Sequence, residues 1–155
     1  MRTAGCYVRR WVLCETLTAM GILASVFGAG SDEEAGAALS GSDGLVCDID
    51  PTGLWELEGI LTSTPALEVP AAQYQPVAAT DDYESFVIAV STGLGGALDA
   101  AGETGRAAAA RQWEDASSEL EGWSPEQVHR LVEDLASTLA SIAAAGQRPY
   151  LRVSV

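Results

Sequence analysis

Two glutamates interrupt apolar helix faces in this sequence and are the first candidates for acid/base chemistry. Glu15 lies in an apolar run of residues 8–27, on the face predicted to be buried, and Glu58 lies at the rim of a leucine stripe in residues 50–63. A carboxylate on a buried face is costly unless it is paired, hydrogen-bonded or protonated. Two interpretations stay open: an arginine partner in a polar interior, or a general acid or base beside a substrate.

His129, the single histidine, is the third candidate for a catalytic group. Glu126 and Glu133 stand at i-3 and i+4 from it, where side chains on one helix face meet. The cluster is typical of a surface salt-bridge network and is also compatible with a catalytic base. Glu126-x-x-His129 matches the ligand pair of ferritin-like di-iron bundles, but those sites use the pair twice. Because no second histidine is present, di-iron chemistry is excluded.

Aromatic residues on the predicted helices are the candidates for a substrate pocket. Glu15 would supply the buried acid or base of that pocket, assisted by Glu58 or His129, and the substrate would be an apolar or neutral small molecule. The residues expected to line the pocket are Trp11, Trp55, Tyr83 and Phe86.

The sequence predicts neither a metal site nor a cofactor. Asp48 and Asp50 could form a D-x-D cation pair, but Asp50 followed by Pro51 is more simply a helix N-cap with proline at the first helical position. The sequence contains no phosphate loop and no dinucleotide fingerprint. The cysteines lack CxxC spacing and are odd in number, which favours neither a zinc site nor a disulfide framework. They are Cys6, Cys14 and Cys47.

Composition and charge restrict the partners. The chain has a formal net charge of -14, a pI near 4.1 and no lysine. Nucleic acids and anionic membranes are bound through clustered cations, so neither is expected as a partner. A length of 155 residues with 48% hydrophobic and 19% charged residues predicts a single globular domain over 1–155. The alanine-rich, lysine-free composition is also typical of genome bias.

Hydrophobic periodicity predicts helices along most of the chain. The clearest begins at Ser124, with an S-x-x-Q capping box and a continuous apolar stripe, and ends at Gly146. Residues 64–80 carry three prolines and are predicted to be an extended crossover. The tail 150–155 alternates, and it is predicted to add an edge strand or to lie over the helices. The other predicted helices cover residues 8–27, a short segment after Ser31, 50–63, 80–101 and 106–121.

These elements predict an all-α fold, a compact bundle of about five helices with a long proline-containing crossover. We expect a non-catalytic helical interaction module, homo-oligomeric through an alanine- and glycine-rich helix face. The alternative is a small accessory enzyme of biosynthetic type, doing acid/base chemistry on a small molecule inside the bundle. The partner is then a second copy, another protein or an apolar small molecule. A cytoplasmic location is expected, with export through the twin-arginine-like Arg9-Arg10 as the minor alternative.

Overall fold

The computed structural model describes residues 23–39, 44–65 and 76–154, and these form a five-stranded antiparallel sheet packed against helices. The helices are α1 (Asp32–Ala37), α2 (Pro51–Thr62), α3 (Thr92–Ala116) and α4 (Pro125–Ala144), with a 3-10 turn at Ser118–Leu120. The strands are β1 (Leu23–Ala29), β2 (Leu45–Val46), β3 (Pro76–Ala79), β4 (Ser85–Ala89) and β5 (Arg148–Ser154). The prediction of an all-α bundle is therefore wrong, because the described residues form an α+β fold. None of the described helices is long and apolar enough to cross a membrane.

Strand β5 lies at the centre of the sheet, whose order is β2-β1-β5-β4-β3. It pairs with the whole of β1, from Leu23 opposite Ser154 to Ala29 opposite Arg148, and with β4 on its other side. The prediction that this tail is an edge strand or a cover over helices is wrong. An alternating hexapeptide does not reveal how many neighbours it has, since position in a sheet depends on distant strands.

The two faces of the sheet are covered by different elements. Leu151 and Val153 of β5 belong to the main core, together with buried residues of α2, α3 and α4. Tyr150 points to the opposite face, where it joins a smaller apolar cluster with Phe27 and with Ala35 of α1. The Tyr150 hydroxyl also donates a hydrogen bond to Asp32 Oδ1 at 2.7 Å, which ties α1 to the sheet.

Helix α4 is confirmed in both its capping and its buried face. The Ser124 hydroxyl accepts a hydrogen bond from the Gln127 backbone at 3.2 Å, and Gln127 Oε1 accepts one from the Ser124 backbone at 2.8 Å. Gly146 follows the helix with a φ of 71°, the left-handed conformation that glycine adopts without strain. The six residues of the predicted stripe are all buried; they are Val128, Leu131, Val132, Leu135, Leu139 and Ile142.

Two predicted helices are wrong where the structure describes them. The helix predicted over 8–27 is contradicted by β1 at its end, and residues 8–22 lie outside the described residues. The helix predicted over 80–101 is replaced by a turn, β4, and a helix that begins only at Thr92. In both segments the apolar residues are nearly continuous, as they are in strands buried on both faces. A short run of this kind fits a helix stripe equally well, so its periodicity does not decide between the two.

The gap between the predicted helices 80–101 and 106–121 is only a kink at Gly102, within the single helix α3. Gly102 has a φ of 66° and a ψ of 178°, outside the helical region, and helix continues on both sides of it. After the kink, α3 contacts α4 through Arg106 and Glu133. Close helix packing at the α3 glycines is supported at Gly95, where an added Cβ would lie 3.3 Å from Leu139 Cβ of α4.

Candidate functional site

Glu58 is a buried carboxylate that lies against the N-terminus of α3. It is 5% exposed, and its Oε1 accepts a hydrogen bond from the Ser91 hydroxyl at 2.8 Å. Ser91 Oγ in turn accepts a hydrogen bond from the Gly93 backbone at 3.1 Å and so caps the helix. A negative group is stabilised near the positive end of a helix. These contacts favour a structural role, in which Glu58 holds the α3 cap in place.

A second carboxylate cluster lies at the start of α2. Asp50 Oδ1 accepts a hydrogen bond from the Gly53 backbone at 3.1 Å, which confirms the predicted N-cap. Glu119, which follows the end of α3, accepts a hydrogen bond from the Asp50 backbone at 3.1 Å. Burial and then the Asp50 side chain raise the pKa of Glu119 to about 7. The pKa of Glu119 therefore lies near neutral pH, whereas an ordinary glutamate has a pKa of 4.5.

The raised pKa of Glu119 predicts a fall in stability as the pH rises from about 4.5 to about 7. In that window the folded protein keeps a proton on Glu119 that the unfolded chain has released, so deprotonation favours unfolding. Because Glu119 is only partly buried, solvent screening limits the loss to about 1 kcal/mol. Glu119→Gln should flatten this part of the pH profile of the unfolding free energy, measured by urea denaturation. Glu121→Gln, an exposed neighbour, controls for the change in charge, and an equal flattening there would contradict the assignment.

A groove of about 630 Å³ runs between the second half of α3 and the first half of α4. Its floor includes Ala107, which is partly exposed, and Ala110, which is 3% exposed. Its walls carry Arg111, Arg130 and Glu126. We call this surface the α3/α4 groove.

Cations are concentrated at the α3/α4 groove. Arg106 Nε donates a hydrogen bond to Glu133 Oε1 at 2.8 Å, across the two helices, and this bond raises the pKa of Arg106. Arg111 and Arg130 lie nearby and are exposed. Among the described residues the remaining arginines are Arg148 and Arg152, both on β5. Among the five arginines of the described residues, Arg111 and Arg130 therefore line the groove, and Arg106 is paired with Glu133 at its edge.

The predicted catalytic residues do not meet in one site. His129 lines the α3/α4 groove beside Glu126 and Glu133, as its spacing predicts, whereas Glu58 lies at the opposite end of α3 against its cap. Glu15 lies outside the described residues.

The predicted pocket aromatics are dispersed as well. Trp55 and Phe86 are partly buried and pack against the main core. Tyr83 is 74% exposed, in the turn between β3 and β4. None of these three lines the α3/α4 groove. Trp11 lies outside the described residues.

Two features of the structure were missed by sequence reasoning. The sequence indicates the arginine cluster only weakly. The chain has no lysine, and Arg106, Arg111 and Arg130 fall on two consecutive predicted helices. Glu119 has none, because its high pKa comes from its burial in the folded chain and then from Asp50, a residue distant in sequence.

Comparison of the chain with protein-family models, with curated proteins and with solved structures finds no match. The functional argument therefore rests on the contacts, burial and charges of the described residues.

Proposed function

We propose that this protein is a non-catalytic interaction module that pairs with a second copy of itself through the α3/α4 groove. The observation that supports this function is the balance of charge at the groove. Arg106, Arg111 and Arg130 stand beside Glu126 and Glu133, on a chain whose net charge is -14. Two copies approaching through this surface avoid most of the like-charge repulsion that other approaches meet.

The groove is also suited to contact its own copy. In a two-fold interface the same patch lies on both sides, so it must be complementary to itself. A patch that carries both arginines and glutamates meets this condition, because arginines of one copy can face glutamates of the other. The small side chain of Ala107, which is partly exposed at the floor, allows the two backbones to approach closely there.

Charge reversal at the groove should separate the copies. We expect the wild-type chain to sediment as a dimer at physiological ionic strength, where charges more than about 8 Å apart are largely screened. Arg111→Glu should raise the dimer dissociation constant by about tenfold or more, the size expected for a lost interfacial ion pair. Sedimentation equilibrium over a concentration series measures this constant.

Arg148→Glu is the matched control for charge. Arg148 is exposed on β5 and pairs only loosely with Asp32, at 3.6 Å, so its reversal should leave the dissociation constant nearly unchanged.

A second pair of variants tests the alanine floor. Ala107→Trp should block the groove, and Ala108→Trp, on the exposed side of the same helix, should not. A monomeric wild type, or equal effects within either pair, would overturn the proposal.

A further inference from the structure

Strand β2 covers only part of the edge of β1. It stands opposite Ser25 and Val26 and does not reach Gly28. The Cys47 N–H, just after β2, donates a hydrogen bond to the Ala24 carbonyl at 2.9 Å. In an antiparallel pair every second residue turns its backbone N–H and C=O to the same neighbour. Ala24, Val26 and Gly28 therefore turn these groups to the side on which β2 lies.

The other side of β1 also places Gly28 at the open edge. Pro149 of β5 stands opposite Gly28, and its carbonyl accepts a hydrogen bond from the Val90 N–H at 3.0 Å, next to β4. This carbonyl points away from β1, so Gly28 and Pro149 are a non-hydrogen-bonded pair of the ladder. The N–H and the C=O of Gly28 thus point out of the sheet, where they can pair with one residue of an added strand.

A cavity of about 480 Å³ lies at this open edge, along Phe27–Ala29 of β1. Its volume is within the range of about 300–1,000 Å³ that ligand sites occupy. The cavity reaches both faces of the sheet, because Ala38 lines it at the end of α1, and Ser141 and Ile142 line it from α4. An added strand needs this shape, since its successive side chains point to opposite faces of the sheet.

Glu34 stands at one end of the open edge. Its Oε2 accepts a hydrogen bond from the Gly30 N–H at 2.8 Å, so the carboxylate lies just past the end of β1 and lines the cavity. A chain that runs antiparallel to β1, as β2 does, has its N-terminal end here. An α-ammonium group at this position meets the carboxylate of Glu34. The net charge of -14 also favours a cationic end over an anionic one.

The other end of the cavity does not suit a free carboxylate. Arg152 lines the cavity and is 8% exposed, but its guanidinium is already bound to the Ala38 carbonyl at 3.0 Å and to Ser25 Oγ at 2.9 Å. A carboxylate would therefore meet the negative field of the chain without a cation to pair with. The exposed residue Gly44 lines this end, so a longer chain can leave past it into solvent.

We propose that the open edge of β1 binds the N-terminus of a partner polypeptide as a short added strand. The first residue of the partner stands opposite Ala29 and places its ammonium group at Glu34. The second residue exchanges two backbone hydrogen bonds with Gly28, and its side chain lies beside Ile142. The third residue leaves past Gly44. This site is separate from the α3/α4 groove, so its test does not depend on self-association.

Binding is tested on the full chain by isothermal titration calorimetry with a peptide amide, L-alanyl-L-valyl-glycinamide. The peptide should bind, and it should slow the hydrogen exchange of the Gly28 amide measured by NMR, because that N–H enters a hydrogen bond. The N-acetylated peptide lacks the ammonium group and should bind about tenfold more weakly or worse. Failure of the peptide to bind, or equal binding of its acetylated form, would overturn the proposal.

Methylation of single nitrogen atoms of the peptide tests the strand pairing. A methyl group on the valine nitrogen removes the N–H that donates to the Gly28 carbonyl, and it should weaken binding about tenfold or more. A methyl group on the alanine nitrogen keeps the positive charge, and it should weaken binding by less than about threefold. Equal affinities of the two methylated peptides would show that no strand pairs with β1, which contradicts the proposal.

Location is tested with two matched pairs of variants. Glu34→Gln should weaken binding of the peptide about tenfold, whereas Glu33→Gln, an exposed neighbour outside the cavity wall, should have little effect. Ser141→Trp should fill the cavity and abolish binding, whereas Ala140→Trp, outside the wall, should bind like the wild type. All four positions are exposed, so no substitution should unfold the protein. Equal affinity within either pair would show that the peptide binds elsewhere and would overturn the assignment.

Discussion

Leu151→Ala is expected to lower the free energy of unfolding by about 2 to 5 kcal/mol, the cost of a cavity in a well-packed core. Leu151 is fully buried, and it stands in register between Val26 of β1 and Ile88 of β4. Both neighbouring strands and the helical layer confine the site, so it cannot collapse easily around the smaller side chain. Urea denaturation, followed by circular dichroism, measures the change.

Leu23→Ala is the matched control for this substitution. It makes the same change in side chain on the neighbouring strand, but Leu23 is 37% exposed at the beginning of β1. Its cost should stay within about 1 kcal/mol, since less apolar surface is removed from the interior. Equally small losses in both variants would contradict a central position for β5 and would favour a tail that lies on the surface.

Gly53→Ala should destabilise the protein by about 1 to 3 kcal/mol, although alanine is the better helix former. An added Cβ at Gly53 would overlap Ile49 Cγ2 and would lie 3.2 Å from Glu119 Oε2. Ile49 is fully buried, so it has little room to move aside. The overlap therefore outweighs the gain in helix propensity. The melting temperature and the urea midpoint should both fall.

Gly96→Ala should raise the free energy of unfolding instead of lowering it. Gly96 lies in α3, and an added Cβ would meet nothing within 4 Å. Alanine should therefore stabilise the helix by about 0.5 to 1 kcal/mol. If both substitutions stabilise the protein, the close approach of Ile49 to α2 is incorrect.

The elements that could be predicted from the sequence are those whose signals are local. Ser124 with Gln127, Asp50 with Pro51, and Ser31 ahead of three acids specify helix starts within a single turn, and all three caps form. The strands could not be recognised in this way. Each of β1, β4 and β5 is completed by partners far along the chain, and their apolar runs resemble short helix stripes.

The candidate sites were still less accessible to sequence reasoning. His129 and its glutamates were identified because they share one helix face. The groove that contains them lies between α4 and the part of α3 that follows the kink at Gly102, so it depends on how two helices pack. Arg152 lies in the alternating tail, and its place beside Phe27 follows from strand register alone. Neither contact can be read from residue spacing.

The central position of β5 also has a consequence for biosynthesis. The ribosome completes β1 and β4 before β5 exists, and neither strand can acquire its shared neighbour until that segment leaves the exit tunnel. Leu23 must then find Ser154 across nearly the whole described chain, a search that slows folding. Until then the nascent polypeptide exposes apolar, unpaired strand edges. Chaperones therefore have time to bind these edges before β5 covers them.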